Sequence, residues 1–192
     1  MKTDIILSGV GGQGILTIAA IVGRAAVEAG INVKQSEVHG MAQRGGAVVA
    51  HLRLSDERIY SDLIPTGGAD VVLGVEPMEA LRHASHLAPG GVLLANTVPV
   101  RNIEYPEVEE ILAQLRALPR HVVIDADAMG REAGSVRAMN MIMLGALAVF
   151  LPFPEGVFEA LIRESFARKG EKVVDINLKA LAAGRAVALE RK

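Results

Sequence analysis

The feature that most restricts the fold of this 192-residue chain lies in its first thirty residues. An apolar run, Ile5 to Ser8, leads straight into Gly9-Val10-Gly11-Gly12-Gln13-Gly14, and an amphipathic pattern follows from about Gln13 to Ala29, with Gly30 in the C-cap position. Strand, glycine loop and helix in that order make GxGxxG a meaningful signal. The glycines let the backbone turn tightly and bring amide N–H groups close to a ligand, and the helix N-terminus adds partial positive charge suited to phosphate or carboxylate. Glu37 lies 23 residues past Gly14, where a dinucleotide site would set an acid on a ribose hydroxyl. The same glycines also suit close strand–helix packing or contact with another subunit. Gln13, a polar residue at the mouth, is not required by a dinucleotide site, and the loop after Glu37 would crowd an adenosine.

The rest of the chain alternates short apolar runs with amphipathic segments, the pattern of α/β layers. Strands are expected at Asn32 to Ser36, Ala47 to Leu54, Ala69 to Gly74, Val92 to Ala95 and His121 to Ile124, with a short return near Arg58 to Asp62. Glu76-Pro77 should open a helix with Pro at its first position. Val108, Ile111, Leu112, Leu115 and Leu118 share one helical face, as do Phe158, Leu161, Ile162 and Phe166 in a mostly helical C-terminal third. No repeat or low-complexity linker interrupts residues 1–192, so one domain is expected, in a three-layer α/β/α Rossmann-like arrangement whose mainly parallel sheet carries one or two antiparallel strands from the 47–62 region.

Composition removes several functions. Without Cys there is no disulfide, no thiolate metal site, no Cys nucleophile and no Cys-held iron–sulfur cluster. A net charge of −2 offers no broad basic field to nucleic acid or an anionic membrane, and 3% aromatics without Trp leave few rings for base-stacking platforms. The most apolar stretch, Met139 to Phe153, contains Asn140 and Pro152 and falls short of a membrane span. The N-terminus has no signal-peptide character, so a cytoplasmic location is expected.

The second unusual segment is Ser36-Glu37-Val38-His39-Gly40-Met41-Ala42-Gln43-Arg44-Gly45-Gly46, with an acid, an imidazole, an amide and a guanidinium set between glycines. Arg44 beside Gly45 and Gly46 would present five donors next to exposed amides, suiting a carboxylate or phosphate, or a carboxylate on a partner protein. An Arg44–Glu37 pair pinning the loop is the alternative. His39 could donate to a substrate carboxylate or serve as a structural hydrogen-bonder. His51 is expected to be structural, and His83, His86 and His121 have no ligand-like partners in the sequence. Asp125 and Asp127 read as a helix N-cap region, and Met139, Met141 and Met143 as adaptable core or a partner surface.

Taken together, GVGGQG after the first strand, SEVHGMAQRGG after the second, Gly68 to Leu73 and Glu76-Pro77 resemble the gamma-type domain of 2-oxoacid:ferredoxin oxidoreductases. SEVHGMAQRGG is similar to the indolepyruvate branch. Asn96, Asp125-Ala126, Asn140 with Leu144-Gly145, and a late helix over Lys172 to Gly184 fit the same pattern, so the resemblance spans nearly the whole chain. It implies a holoenzyme that decarboxylates arylpyruvates oxidatively, with CoA as co-substrate, and passes electrons to ferredoxin. It also implies that thiamine diphosphate, Mg²⁺ and iron–sulfur clusters belong to a large alpha subunit and that none of them is bound by this chain alone. The absence of Cys, and of Gly-Asp-Gly with a downstream Asn pair, agrees. No catalytic residue or metal ligand is therefore expected here. The residues expected to face substrate, CoA or the partner are Gly9, Gly11, Gly12, Gln13 and Gly14 in the first loop, and Glu37, His39, Gln43, Arg44, Gly45 and Gly46 in the second. A free-standing NAD(P)-dependent oxidoreductase, or a module sensing a nucleotide or small acid, are the competing functions.

Overall fold

The structure is a computed structural model and describes residues 1–40, 45–102 and 104–191. Six strands form one sheet in the order β2-β3-β1-β4-β5-β6. They are β1 (Lys2–Val10), β2 (Asn32–His39), β3 (Ala47–Ser55), β4 (Ala69–Gly74), β5 (Leu87–Asn96) and β6 (His121–Ile124). The pairs β1–β4, β4–β5 and β5–β6 are parallel, whereas β3 runs antiparallel to both β1 and β2. The sheet is thus mainly parallel with one reversed strand, as the sequence suggested.

Side-chain alternation assigns the two faces. Ile5, Leu7, Leu52, Leu73, Leu94 and Ile124 pack against α1 (Ile15–Glu28), α5 (Met139–Ala148), α6 (Val157–Phe166) and α7 (Glu171–Leu189). Ile6, Val72, Leu93 and Ala95 pack on the opposite face against α2 (Pro77–His83) and α3 (Val108–Arg116). Central strands buried on both faces read as continuous apolar runs, which is why Val71 to Leu73 was legible. Met139, Met141 and Met143 are all core. Among the described residues no helix is long and apolar enough to cross a membrane.

Two expectations need correction. β2 continues past its expected end at Ser36 through Glu37 and Val38 to His39, because Ala50, Val49 and Val48 of β3 supply ladder partners for those residues. No return strand forms at 58–62. The Arg53 side chain satisfies that segment instead, with Nη1 donating to the carbonyls of Ser61 (2.9 Å) and Leu63 (3.1 Å). The same guanidinium grips the buried Asp4 carboxylate through Nε (2.8 Å) and Nη2 (3.0 Å). Carbonyls bound this way have no need of a strand neighbour.

α5 is apolar apart from Asn140 and is covered by α7 at unusually short range. A Cβ on Gly184 would lie 1.9 Å from the Ile142 carbonyl oxygen, and one on Gly145 would lie 2.1 Å from that of Leu181. The helix backbones themselves are in contact, leaving no side chain to move aside. Helix propensity alone would make Gly184→Ala stabilising by about 1 kcal/mol. Overpacking should reverse the sign, to a loss of about 1–3 kcal/mol read as a lower urea midpoint. Gly23→Ala in α1, where an added Cβ meets only Val33 Cγ1 at 3.8 Å, should hold or raise the midpoint. Equal gains from both substitutions would refute the close crossing.

Candidate functional site

After β1 the chain goes through α1 to β2 on one side of the sheet, and after β4 it goes through α2 to β5 on the other. The carboxyl ends of β1 and β4 therefore flank the topological switch point, where open α/β sheets place their ligand crevices. A cavity of about 210 Å³ opens there, lined among others by Val10, Gly45, Gly46, Glu76, Met78 and Tyr105.

The first glycine loop is shaped by packing at this junction. A Cβ on Gly9 would lie 2.3 Å from Val75 Cγ2, so only glycine lets β1 approach the end of β4. Gln13 closes the turn, with Oε1 accepting from the Val10 N–H (2.7 Å) and Nε2 donating to the Val75 carbonyl (3.1 Å). Gly14 packs on the other side against Asn140. The end of the second loop lies directly on the first. The Gly11 N–H donates to the Gly46 carbonyl (2.9 Å) and the Gly45 N–H to the Gly11 carbonyl (3.4 Å), while the Gly40 N–H donates to Ala47 (2.9 Å).

The structure thus brings Gly9, Gly11, Gly12, Gln13, Gly14, Gly45 and Gly46 together. Gly12 is exposed, and Gln13 has both polar ends engaged by backbone. Glu37 and His39 sit apart from the first loop, on the outer strand, where His39 Nε2 and Glu37 Oε2 are 3.1 Å apart and Gln35 also bonds Glu37. Gln43 and Arg44, and with them any Arg44–Glu37 pair, lie outside the described residues. The dinucleotide arrangement does not form. β3 separates β2 from β1, so Glu37 stands two strand spacings, roughly 10 Å, from β1. The Gly11 N–H, moreover, is committed to Gly46.

Three residues that the sequence did not single out as site residues shape the crevice wall. Glu76, 1% exposed, caps α2 by accepting from the Glu79 N–H (2.9 Å). Its other oxygen accepts from the Tyr105 hydroxyl (2.5 Å) and the Val100 N–H (3.3 Å). Burial, reinforced by the Glu76 bond, raises the Tyr105 phenol well above its usual range, so it stays a protonated donor. Burial also raises the Glu79 carboxyl, with Arg82 opposing and Glu76 adding to the shift. Asn102 donates its amide to the Gly45 carbonyl. The only sequence signal was Glu76 before Pro77, legible as a cap, and a rare Tyr before Pro106. Deeper in, Asn96 joins strand ends by donating to Val75 (3.3 Å) and Asp127 (2.8 Å) and accepting from the Ala126 N–H (3.0 Å). Asp125 caps the helix Ala126–Ala133, as expected from the sequence.

A second cluster was missed. His51, His83 and His86 meet on the α2 side of the sheet, with ring centroids 5.9 Å apart for His51–His86 and 5.6 Å for His83–His86. His51 Nδ1 accepts from the Ile64 N–H (3.0 Å), the structural role expected of it. Burial first, then the charges of His86, His51 and Arg82, push His83 down to about 4. Among the described residues no group of three or more His, Asp or Glu is placed to hold a metal.

Residues 4–187 match the family model described as pyruvate ferredoxin/flavodoxin oxidoreductase. The chain belongs to this family. Within the pyruvate ferredoxin/flavodoxin oxidoreductases it is similar to the indolepyruvate oxidoreductase subunit IorB of Archaeoglobus fulgidus, with 43% identity covering 96% of this chain and 94% of that one. The pyruvate oxidoreductase subunit PORC of Thermotoga maritima superposes with a TM-score of 0.75 at 26% identity, covering 96% of each chain. The 2-oxoglutarate:ferredoxin oxidoreductase of Magnetococcus marinus shares the fold, with a TM-score of 0.78 at 23% identity. All of this chain matches there, but it spans only 32% of that longer polypeptide.

Two outcomes follow from this geometry. Gln13→Ala should cost about 1–3 kcal/mol in urea unfolding, since the Val10 N–H loses its side-chain acceptor and the Val75 carbonyl keeps only Asn96 as a side-chain donor. Gln13→Glu should cost more, because a carboxylate would face that carbonyl. A neutral Gln13→Ala would remove its bracing role. His83 is depressed in the folded chain, so the unfolded chain binds the proton first. Its stabilising contribution is complete above the ordinary value of 6.5 and is lost as pH falls through about 4. His83→Leu should therefore flatten the profile of urea midpoint against pH across that window. A profile parallel to that of the unsubstituted chain would contradict the assignment.

Proposed function

We propose that this chain is the small subunit of a 2-oxoacid:ferredoxin oxidoreductase of the indolepyruvate type. The observation that carries the proposal is 43% identity, over nearly the full length of both chains, to an indolepyruvate oxidoreductase subunit. In the holoenzyme an arylpyruvate loses CO₂, its acyl carbon is oxidised and joined to CoA, and two electrons pass to ferredoxin. Thiamine diphosphate, Mg²⁺ and the iron–sulfur clusters belong to the large alpha subunit in this scheme. A thiolate-held cluster does not fit this chain, which has no Cys, so no electron-transfer step is derived through it.

What the small subunit contributes is shape. Its two glycine loops are proposed to face the substrate, CoA or the large subunit at the switch-point crevice. Gly12, exposed at the tip of the first loop, and His39, exposed at the end of β2, are the described loop residues best placed to do so. Gln13 supports this surface from behind. The family membership and the broken dinucleotide geometry both speak against a free-standing NAD(P) enzyme.

The deciding assay is anaerobic, CoA-dependent reduction of ferredoxin by indolepyruvate, with this chain alone, its large subunit alone, and the two mixed. Activity is expected only on mixing. Full activity from the large subunit alone would sink the proposal.

A further inference from the structure

Between β5 and α3, Val100, Asn102 and Tyr105 attach to the carboxyl-end crevice in two directions. Inward, the segment is held by the buried Glu76 carboxylate, which takes the Val100 N–H at 3.3 Å and the Tyr105 hydroxyl at 2.5 Å through one oxygen. The Tyr105 oxygen in turn accepts from the Met78 N–H (3.2 Å), tying the segment to the first turn of α2. Outward, Asn102 sits between these two anchors. Its N–H is folded back on the Val100 carbonyl (3.0 Å), and its side-chain amide donates to the Gly45 carbonyl. Gly45 has φ +83° and a missing Cβ that would lie 3.3 Å from Asn102 Nδ2, so the contact and the turn both call for glycine there.

We propose that Asn102 and Tyr105 are positioning residues, forming with Glu76 a brace that holds Gly45 and Gly46 against the first glycine loop and so sets how both loops are presented to the large subunit. The presentation half of this proposal rests on the function proposed above; the brace itself does not.

Several features fit a brace better than incidental packing. Asn102 and Gly45 are 57 residues apart in sequence, and no strand or helix joins them. Among the described residues the two loops are linked to each other by the Gly11–Gly46 and Gly45–Gly11 backbone bonds, the second of them long at 3.4 Å, and the Asn102 bond backs the second loop from outside. Losing one side-chain hydrogen bond is enough to shift the opening of so short a link severalfold. Glu76 is an effective anchor because a buried carboxylate holds its donors firmly and loses heavily when they leave. The phenol supplies a hydroxyl donor that phenylalanine cannot.

The test uses the full chain and compares Asn102→Ala and Tyr105→Phe with Tyr60→Phe, a control at a residue 82% exposed. Amide hydrogen exchange is followed at Gly11 and Gly45, and at Leu7 and Leu73 in the core. In both brace variants the glycine amides should exchange up to about tenfold faster, as loss of one hydrogen bond allows, with the core amides unchanged. On titration into the large subunit, half-maximal indolepyruvate oxidation should need severalfold more of either variant, with activity at saturation retained. Tyr60→Phe should match the unsubstituted chain in both measurements. Unchanged glycine exchange would overturn the brace, and so would equal acceleration of the core amides. Faster glycine exchange with an unmoved titration would overturn the presentation role. If the unsubstituted pair is inactive, the functional proposal fails, while the exchange data still decide the brace.

Discussion

The ladder between β1 and β3 starts at Lys2 opposite Ser55 and reaches Val10 opposite Ala47. It does not stop there, because Gly11 and Gly46 exchange a further backbone bond beyond the last strand pair. This one extension determines most of what the amino-terminal half can do. It presses the end of the second glycine loop onto the first and occupies an amide that a phosphate-binding loop would leave free, while β3 itself keeps β2 one strand away from β1. A glycine loop that resembles a nucleotide cradle in sequence becomes a junction between two loops in space.

Around that junction, buried polar groups are placed so that each is satisfied. Glu76 accepts three hydrogen bonds, Asn96 makes three, and Asp4 is gripped by Arg53. Such groups add little net stability compared with apolar residues of the same shape, but leaving any one unpaired is expensive. Their effect is to specify geometry. Val75 shows this most clearly, since its carbonyl accepts from Gln13 and Asn96 while its N–H donates to Ser8, locking together the ends of β1, β4 and β5.

Elements whose burial depends on local periodicity were legible from the sequence. α1 with Gly30 just past its end, the Glu76-Pro77 helix start, the Asp125 cap and the apolar cores of β4 and β6 all stand close to where the pattern put them. The site was legible only in part. The glycines of both loops meet, but Glu37 and His39 do not join the first loop. The roles of Tyr105 and Asn102 were invisible, because partners 29 and 57 residues away leave no periodic trace. The histidine cluster escaped for the same reason, as His51 lies on a strand and His83 and His86 at a helix end.

By itself, the sequence determined the layer architecture, the family and the absence of thiolate chemistry, because these depend on composition, periodicity and motif. The tertiary structure alone decided which loops touch, which amides remain free and which side chain holds which carbonyl. Those follow from strand order and register: one antiparallel strand inserted between β1 and β2 changes every neighbour at the switch point while leaving each segment's own pattern unaltered.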